Sequence, residues 1–452
     1  MDMKRTLRSV AEATRGRLIG TDAPFGLVTS DSRRMETGAL FVCLEGVHFD
    51  GHDFARMAEE TGAAGLLTQH DVDSRLPQIR VADTLVGLAE FARAWRSAHA
   101  VRTIGVTGSN GKTTVKNLLA GVLAQVAPTL ATSGNYNNLI GVPLTLARLN
   151  SEHRFAVIEM GTNTPGEIAR LAEITSPDAG VIVSIAPAHL EGFGDVAGVA
   201  REKGALFSSL PDEGLAVAPY GSPWLDQWRK SSQVERWISF GLDERADVHA
   251  HAIETTSTGT RFTLVTPDGE VFAELQLLGA HNVVNALAAA AAAWGLGVPA
   301  DTIARGLALV RPAPGRLVPR QLPSGAMLID DTYNANPASV AAAIQAAASS
   351  GRPVWLALGD LGELGPDARE WHARMGRDAR AAGVQALYTV GSLAAEAAKA
   401  YGDGARSFES TEALNDALAD ELPGSAVLVV KGSRAARMER VVEALTASRE
   451  AC

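Results

Sequence analysis

The chain has 452 residues, which predicts two to four domains, and its 46% apolar and 20% charged residues are typical of a folded protein rather than a disordered one. Its 41 Lys and Arg residues against 51 Asp and Glu residues give a formal net charge of −10, which argues against a protein that binds nucleic acid or an anionic membrane. The two cysteines, Cys43 and Cys452, are too few for a disulfide scaffold or a thiolate zinc site.

The first hundred residues predict a small α/β unit. Residues 1–18 are charged throughout and lack the apolar core of a signal peptide. Two helical patterns, Leu7–Leu18 and Leu85–Trp95, flank short apolar stretches that alternate with turn residues, as in Gly26–Gly46. The longest apolar run of the chain, Ala286–Ala300, is shorter than the ~18–20 residues that span a bilayer. We therefore expect a cytoplasmic protein without stable membrane insertion.

Strands alternate with helices from residue 101 onward. Val101–Thr107 is a buried-strand run that ends in a glycine loop, and a helix is predicted over Thr113–Gln125. Further strands are predicted at Phe155–Met160 and Gly180–Ile185, each followed by a helical pattern. This alternation predicts a mostly parallel sheet with helices on both faces.

Residues 245–278 predict a few antiparallel strands instead, joined at the turn Pro267–Gly269 and followed by an alanine-rich helix at Asn282–Trp294. The segment Arg311–Gly315 contains two prolines and a glycine and is the best linker candidate. Strand–helix alternation then resumes, with strands predicted at Ala326–Asp331, Pro353–Gly359, Ala386–Val390 and Ala426–Lys431. The simplest division is three domains, over residues 1–98, 99–313 and 314–452.

Gly105–Thr114 reads GVTGSNGKTT between a predicted strand and a predicted helix. In such a loop the glycines let backbone N–H groups turn toward phosphates, Lys112 adds a mobile positive charge and Thr113 can bind magnesium. The spacing departs from the generic G-x-x-x-x-G-K-[ST] motif, and a glycine turn with an incidental lysine is the alternative. On this loop alone the function stays open among kinases, motor ATPases, switches and ligases. The predicted phosphate-binding residues are Gly108, Ser109, Asn110, Gly111, Lys112, Thr113 and Thr114.

Three further residues fit magnesium and phosphate chemistry. Glu159 ends a predicted strand, and ligands gather at the carboxyl ends of parallel strands. His189 follows another strand end, and Lys203 lies in a helical pattern fourteen residues later. Taken singly, each also fits an ordinary role as a solvated carboxylate, a hydrogen-bonding loop histidine or a solvated lysine.

Seven motifs follow one another along the chain: GSNGKTT, SGNYNNLIGVPLTL (Ser133–Leu146), AVIEMGTNTPGEI (Ala156–Ile168), PAHLEGFG (Pro187–Gly194), LLGAHNVVNALAA (Leu277–Ala289), PGRL (Pro314–Leu317) and DDTYNANPAS (Asp330–Ser339). This order resembles the Mur ligase family, ATP-dependent amide-bond-forming enzymes of peptidoglycan biosynthesis. The resemblance covers essentially the whole chain. It implies an N-terminal α/β substrate domain, a central P-loop ATPase-like domain with extra antiparallel strands, and a C-terminal Rossmann-like domain.

Four segments indicate which member of the family the chain is similar to: Thr29–Phe54, Asp330–Ser339, Ala357–Gly365 and Val429–Arg434. They resemble the ligase that joins D-alanyl-D-alanine to UDP-N-acetylmuramoyl-tripeptide, the last cytoplasmic step of the precursor peptide. The nearest alternative is the sibling ligase that adds a single third residue, whose typical D-N-P-R signature is not found here. A nucleotide-driven switch or motor and a catalytically inactive binding module are the more distant alternatives.

The resemblance also implies the cofactors and the roles of individual residues. ATP and two magnesium ions are expected, the protein is expected to act as a monomer, and Lys203 matches a position that the family commonly carbamylates. The implied catalytic residues are Lys112, Glu159, His189 and Lys203, and the implied metal ligands are Thr113, Glu159, His189 and Lys203. Beyond the phosphate loop, the implied ATP contacts are Asn282, Arg316 and Asp331.

The implied substrate residues fall into three groups. Those for the UDP-sugar peptide are Ser30, Ser32, Arg33, Gly46, Asp50, Gly51 and His52, for which a polar turn is the alternative. Asn137 and Asn138 would meet the same substrate at the domain junction. Asn334 and Asn336 are assigned to the dipeptide, and they also fit a helix N-cap with proline in the first turn.

Overall fold

The computed structural model describes residues 4–46, 49–256 and 259–447, and Cys452 lies outside these ranges. Four sheets occur in this part of the chain, and they group into three α/β domains that follow one another along the sequence. The predicted fold class is therefore confirmed. No helix within the described ranges is both long and apolar enough to cross a lipid bilayer.

The N-terminal domain is a five-stranded sheet with short helices. Its elements are α1 (Leu7–Ala13), β1 (Arg17–Ile19), β2 (Val28–Thr29), β3 (Leu40–Val42), α2 (Ala55–Thr61), β4 (Gly65–Thr68), β5 (Gln78–Arg80) and α3 (Thr84–Ser97). The strand order is β1-β5-β4-β3-β2, and only the β1–β5 pair of this sheet is antiparallel. The helix predicted over Leu7–Leu18 is wrong at its carboxyl end, because Arg15 adopts a left-handed backbone (φ 52°) and β1 begins two residues later.

Cys43 lies in the core of this domain, directly after β3. Its side chain is fully buried, and burial raises the pKa of the thiol to about 12. Because the thiolate is the reactive form of cysteine, this residue packs rather than reacts.

The central domain is built on a six-stranded sheet whose neighbouring strands are all parallel. Its elements are β6 (Arg102–Thr107), α4 (Lys112–Leu123), β7 (Thr129–Ala131), α5 (Gly141–Leu146), β8 (Phe155–Glu159), α6 (Glu167–Thr175), β9 (Ala179–Ile182), α7 (Leu190–Phe193), α8 (Val196–Ser208), β10 (Leu215–Pro219), α9 (Leu225–Lys230) and β11 (Arg236–Phe240). The order is β11-β10-β9-β6-β8-β7, so the three strands predicted from buried runs, β6, β8 and β9, are neighbours inside the sheet.

An antiparallel sheet and two helices complete the central domain: β12 (His249–Thr255), β13 (Thr260–Thr266), β14 (Gly269–Leu275), α10 (Ala280–Gly295) and α11 (Ala300–Ala308). Thr266 pairs with Gly269, which confirms the predicted turn between β13 and β14. Helix α10 packs against α4, and its residues 286–293, which are alanines except for Leu287, are all fully buried. Small side chains let α10 approach its neighbours closely and fix its asparagines beside the start of α4.

The C-terminal domain has a second six-stranded sheet. Its elements are β15 (Val318–Gln321), β16 (Met327–Asp331), α12 (Pro337–Ala348), β17 (Val354–Gly359), α13 (Ala368–Ala381), β18 (Ala386–Val390), α14 (Ala394–Tyr401), β19 (Ala405–Phe408), α15 (Thr411–Glu421), β20 (Val427–Lys431) and α16 (Glu439–Thr446). The order is β15-β16-β20-β17-β18-β19, with β15 antiparallel to β16 and the other pairs parallel. Residues 311–315, which precede this domain, have no regular secondary structure, as their prolines and glycine predict.

The N-terminal and central domains share one apolar core. A single cluster contains Phe91 and Trp95 of α3 together with Leu146 of α5 and Leu171 of α6. The Trp95 Nε1 group donates a hydrogen bond to the Leu149 carbonyl oxygen at 3.1 Å. The apolar clusters of the C-terminal domain, by contrast, contain described residues only from Leu317 onward. The first two domains therefore form one packed unit.

Candidate active site

The phosphate loop lies between β6 and α4, where the sequence predicts it. Gly108 and Gly111 have φ angles of +153° and +80°, which L side chains rarely adopt. A Cβ atom on Gly111 would lie 2.3 Å from Asn285 Oδ1, so a side chain at this position would collide with α10. The Ser109 backbone N–H donates to the Ser184 carbonyl oxygen at 2.8 Å, which fixes the loop against the segment after β9. The Asn110 N–H also has a partner, Ser184 Oγ at 2.9 Å, so the loop presents its N–H groups from Gly111 onward, at the start of α4, to a phosphate.

Lys112 curls back over this loop. Its ammonium group donates to the carbonyl oxygens of Gly108 at 2.7 Å and Ser109 at 3.4 Å. Burial lowers the pKa of Lys112, and Arg316 lowers it further while Glu159 opposes the shift. The side chain is therefore placed beside the positions that phosphate oxygens occupy in such loops.

Glu159 ends β8 and is only 2% exposed. Its Oε1 atom accepts hydrogen bonds from Thr113 Oγ1 at 3.1 Å and from Asn137 Nδ2 at 2.8 Å. Its Oε2 atom is buried and has no hydrogen-bond partner among the described residues. A carboxylate with a free buried oxygen beside a threonine hydroxyl offers the hard oxygen ligands that magnesium prefers, so these residues fit a magnesium ion.

His189 has a left-handed backbone (φ 52°), and its Nδ1 atom lies 2.6 Å from Glu363 Oε2 of the C-terminal domain. Glu363 is also left-handed (φ 60°), and the neighbouring imidazole lowers the pKa of its carboxyl group. Non-glycine residues in this region are uncommon and cluster at functional sites. Two such residues therefore meet where the central and C-terminal domains touch.

Lys203 is 1% exposed on α8. Within the described ranges its side-chain nitrogen makes no hydrogen bond or ion pair, and Lys203 lines neither the cavity beside the phosphate loop nor the cavity beside Arg33. Burial lowers its pKa well below the usual range, the Lys112 charge lowers it further and Glu202 opposes the shift. Burial therefore favours the neutral, nucleophilic form of this amine more than it is favoured in an exposed lysine.

A cavity of about 970 Å³ lies between the central and C-terminal domains. It brings together most of the residues that the sequence predicts for ATP, metal and peptide binding. Of the predicted residues, those that line it are Ser109, Asn110, Gly111, Lys112, Thr113, Thr114, Asn137, Asn138, Glu159, His189, Asn282, Arg316, Asp331, Asn334 and Asn336.

The segment after the linker reaches into this cavity. Arg316 Nη2 donates to Thr113 Oγ1 at 3.0 Å, and its guanidinium lies 4.2 Å from the centre of the Tyr333 ring. Asp331 accepts a hydrogen bond from the Leu317 backbone N–H at 3.2 Å, and its other oxygen lies 2.5 Å from Lys431 Nζ. Asp331 thus ties the segment that carries Arg316 to the C-terminal sheet.

The predicted asparagines also take defined positions. Asn336 caps α12 by accepting from the Ser339 backbone N–H at 2.9 Å, and its Nδ2 donates to Asn110 Oδ1 at 2.7 Å across the domain boundary. It therefore combines the N-cap role with a place at the phosphate loop. Asn282 donates to the Leu278 carbonyl oxygen and accepts from Asn285, both at 2.9 Å, beside that loop.

Asn138 and Asn334 make local hydrogen bonds at the cavity wall. Asn138 accepts from the Gly141 backbone N–H at 2.8 Å at the start of α5. Asn334 accepts from the Ala335 backbone N–H at 2.9 Å, and its carbonyl oxygen accepts from Lys431 at 3.1 Å.

A second cavity, of about 490 Å³, lies between the N-terminal and central domains. Arg33 lines it, and its guanidinium makes two hydrogen bonds to Asp31, at 2.9 and 3.0 Å. Ser30 and Ser32 flank Asp31 without lining this cavity. Arg33, a predicted substrate contact, therefore borders a space large enough for part of a substrate.

The remaining predicted residues of the N-terminal domain, Gly46, Asp50, Gly51 and His52, line neither cavity. The His52 ring is buried, with Nδ1 lying 2.5 Å from Asp50 Oδ1 and Nε2 accepting from the Gln69 backbone N–H at 3.0 Å. Both ring nitrogens therefore have partners inside the domain, and substrate contact by this group stays a prediction.

Several residues that adjoin the site escape the sequence reasoning. Lys116 lies on the buried face of α4 and donates to the Thr132 carbonyl oxygen at 2.7 Å, and Thr132 Oγ1 accepts from the Glu159 backbone N–H at 2.9 Å. Glu202 accepts from the backbone N–H groups of Gly166 at 2.7 Å and Ile168 at 2.8 Å, which fixes the segment after Glu159. A lysine among the apolar positions of a helix is the signal that could have identified Lys116.

Three known protein domains match the sequence. They are "Mur ligase family, catalytic domain" over residues 25–96, "Mur ligase middle domain" over residues 106–293 and "Mur ligase, glutamate ligase domain" over residues 315–434. The UDP-N-acetylmuramoyl-tripeptide–D-alanyl-D-alanine ligase of Escherichia coli (strain K12) is 42% identical to this chain over 443 residues, which cover 97% of this chain and 98% of that enzyme.

Solved structures match over the whole length as well. The crystal structure of MurF from Acinetobacter baumannii superposes with a TM-score of 0.92 at 33% identity and covers 99% of this chain and 100% of that one. MurF ligase from Thermotoga maritima in complex with ADP superposes with a TM-score of 0.84 at 26% identity and covers 93% and 97% of the two chains.

Proposed function

The chain belongs to the Mur ligase family, and from that premise we propose how its residues carry out the reaction of the D-alanyl-D-alanine-adding member. The protein is an ATP-dependent ligase that joins D-alanyl-D-alanine to UDP-N-acetylmuramoyl-tripeptide in peptidoglycan biosynthesis. The observation that carries the residue assignments is the cavity between the central and C-terminal domains. There the phosphate loop, the free oxygen of Glu159 and polar side chains of both domains meet.

The chemistry requires activation of a carboxylate. A carboxylate resists attack by an amine because it is a poor electrophile and hydroxide is a poor leaving group. An oxygen of the tripeptide's terminal carboxylate therefore attacks the γ-phosphorus of ATP, and ADP leaves with the electrons of the broken P–O bond. The dipeptide amine then attacks the acyl carbon of this acyl phosphate, a C–N bond forms, and phosphate leaves as the amine loses its proton. Both steps concentrate negative charge, so cationic groups should dominate catalysis.

The central domain supplies the magnesium ligands in this proposal. Thr113 and Glu159 would hold one ion and His189 a second, because they offer oxygen and imidazole donors around the phosphate loop. Bound magnesium would neutralise charge on the phosphate oxygens as it develops.

Lys203 joins the metal site as a carbamate in this proposal. A free ammonium cannot bind a metal ion. When a neutral amine attacks the carbon of carbon dioxide, a C–N bond forms and a proton is released, and the resulting carbamate presents two oxygens that share one negative charge. The burial of Lys203, which lowers its pKa, favours the neutral amine that this reaction needs. The nearby positive charge of Lys112 would stabilise the product.

The substrates are distributed along the chain in domain order. We assign the UDP-sugar peptide to residues 1–98, ATP to residues 99–313 and the dipeptide side to residues 314–452. Asn137 and Asn138 would meet the tripeptide, Asn334 and Asn336 the dipeptide, and Asn282 the adenine. All of these residues come from a single chain, which supports a monomer as the active unit. The need for ATP and a nucleotide-linked substrate supports the cytoplasm as its location.

Closure of the C-terminal domain protects the acyl phosphate from water. Arg316, Asn336 and Glu363 all contact the central domain in the structure, at Thr113, Asn110 and His189 respectively. Hydrolysis of the intermediate would consume ATP without product, so a lid that excludes water is part of the reaction.

A mass-resolved assay tests this function. The protein is incubated with ATP, magnesium, UDP-N-acetylmuramoyl-tripeptide and D-alanyl-D-alanine, with Glu159→Gln as the inactive control. We expect a product equal to both substrates minus water, and phosphate release that requires both. Phosphate release without joining of the dipeptide would contradict the acceptor assignment. Addition of one amino acid to a UDP-linked dipeptide would identify the sibling ligase instead.

A further inference from the structure

The second cavity has a cationic side, and of its three arginines only Arg33 is among the predicted substrate contacts. Arg33, Arg34 and Arg148 line it, against one acidic residue, Glu36. Asp31 partly neutralises the first two, since it makes two hydrogen bonds to Arg33 and lies 4.0 Å from Arg34. The cavity therefore suits an anionic group of a ligand.

Arg148 is the arginine of this cavity that lacks an acidic partner. Its Nη1 donates to Ser133 Oγ at 2.9 Å, and it forms no ion pair within the part of the chain that the structure describes. The residue is exposed, two residues after the end of α5. A guanidinium that donates only to one hydroxyl has further N–H groups available for a carboxylate. Arginine binds a carboxylate in a planar geometry with two parallel hydrogen bonds.

The loop Ser133–Asn138 separates this cavity from the reaction site. Ser133 and Tyr136 line the second cavity, whereas Asn137 and Asn138 line the first. Asn137 also donates to Glu159, so the reacting carboxylate is expected beside it. The tripeptide's third residue carries that carboxylate. Its side chain branches from the carbon atom next to the carboxylate and is about 6 Å long when extended. Because the same short loop lines both cavities, the second cavity is the space into which we expect this side chain to extend.

We propose that Arg148 selects a tripeptide whose third residue carries a side-chain carboxylate, as a diamino dicarboxylic acid does, over one whose side chain ends in an ammonium alone. This proposal rests on the ligase function proposed above. The carboxylate would pair with Arg148 beside Ser133, whereas a terminal ammonium would meet a cationic wall and be repelled. Arg148 is thus a specificity residue rather than a catalytic one.

Steady-state kinetics with two tripeptides tests the proposal. One substrate carries meso-diaminopimelate as its third residue and the other L-lysine, and both are assayed at low salt because Arg148 is exposed. The variants are Arg148→Met, Arg148→Lys and the matched control Arg154→Met, which changes an exposed arginine just before β8, at the opposite end of that strand from Glu159.

We expect the wild type to prefer the diaminopimelate substrate. Arg148→Met should raise KM for that substrate about tenfold, the loss of one charged hydrogen bond, and leave kcat nearly unchanged. KM for the lysine substrate should stay constant or fall, Arg148→Lys should keep most of the preference, and Arg154→Met should change neither value.

Two results would overturn the inference. Equal increases in KM for both tripeptides would place Arg148 at the diphosphate that both substrates share. Unchanged KM values in Arg148→Met would leave the cavity without a role in substrate choice. In both cases the wild type still joins the dipeptide, whereas failure of the wild type to ligate either tripeptide would overturn the proposed function itself. Melting temperatures and direct binding of each tripeptide without ATP separate loss of recognition from loss of fold.

Discussion

At the scale of single residues, Lys116 shows how one buried charge can organise the site. Its ammonium fixes the Thr132 carbonyl oxygen, and the Thr132 hydroxyl in turn accepts from the Glu159 backbone N–H. Thr132 also precedes the loop that carries Asn137, whose amide reaches the Glu159 carboxylate. One side chain of α4 therefore positions both the predicted metal ligand and the predicted tripeptide contact. Burying a lysine costs stability, so its presence on the apolar face points to a functional role.

Lys116→Met is expected to reduce activity without unfolding the protein. Loss of the support behind Glu159 should lower kcat/KM about 10- to 100-fold, as is typical for residues that orient metal ligands. The free energy of unfolding should change by less than about 2 kcal/mol, because an unpaired Thr132 carbonyl is offset by the removal of a buried charge. Activity assays and urea unfolding measure the two quantities. A loss of activity matched by a comparable loss of stability would contradict this role.

The pH dependence of stability provides a second readout of the same substitution. Burial lowers the pKa of Lys116 below the ordinary value of 10.5. At pH values between the lowered pKa of the folded state and the ordinary pKa of the unfolded state, Lys116 binds a proton in the unfolded chain but not in the folded chain. This group therefore makes the wild type more stable as pH rises. Lys116→Met should lack that contribution. The stability of the wild type relative to the variant should therefore increase with pH in unfolding experiments, and a constant difference would contradict the shift.

At the scale of elements, buried strand runs and glycine loops were predictable from the sequence, whereas contacts between distant segments were not. The strands at 102–107 and 155–159 follow from uninterrupted apolar runs, and the turn at 267–269 follows from its residues. The carboxyl end of α1 was predicted too late in the chain, because no local sequence pattern indicates that Arg15 adopts a left-handed backbone. Likewise, the pairing of His189 with Glu363 depends on how two domains meet, which no local pattern encodes.

The phosphate loop supplies a prediction about Gly111. Gly111→Ala should force a left-handed alanine against Asn285, which costs about 1–3 kcal/mol of strain and moves either the loop or α10. ADP affinity measured by titration calorimetry should fall at least tenfold. Gly221→Ala is the matched control, since Gly221 has φ +68° but no atom within 4 Å of its added Cβ. ADP binding that is unchanged in Gly111→Ala would show that the close approach to Asn285 is unimportant.

The linker at 311–315 gives a prediction about Arg316. Arg316→Ala removes a cation that reaches Thr113 from the C-terminal domain, so kcat should fall about 10²- to 10³-fold. Stability should drop by only about 1 kcal/mol, the scale of its contact with Tyr333. Arg320→Ala, in β15 of the same domain, serves as the control. Losses of activity and stability in equal proportion would rule out a role in closure.

At the scale of the whole molecule, the three domains form two mechanical units. The apolar core that joins the N-terminal and central domains is continuous, whereas the C-terminal domain meets them through the linker and polar contacts. Arg5 strengthens the first interface by donating to the Ala147 carbonyl oxygen and packing against the rings of Phe25 and Trp95. Relative movement should therefore occur mainly at the linker.

Scanning calorimetry should reveal these units as two unfolding transitions. The larger should come from the N-terminal and central domains together and the smaller from the C-terminal domain, because unfolding enthalpy scales with the number of residues. Arg5→Ala should lower the melting temperature of the larger transition only, by about 1.5 °C for a loss of about 1 kcal/mol in a unit of roughly 310 residues. A third transition, or a shift of both, would contradict the two-unit description. Added ADP should raise the larger transition most.

The loop Ser133–Asn138 has one more consequence, for inhibitor chemistry. Its residues form part of the wall of both cavities, and the domains that enclose the second cavity share a continuous core. A compound with one arm in each cavity would therefore cross a short partition of nearly fixed length. Once one arm is bound, the local concentration of the other near its cavity would reach the millimolar range for a well-matched tether. Two weakly binding fragments could thus be combined into one tightly binding inhibitor, and its binding would not require movement of the C-terminal domain.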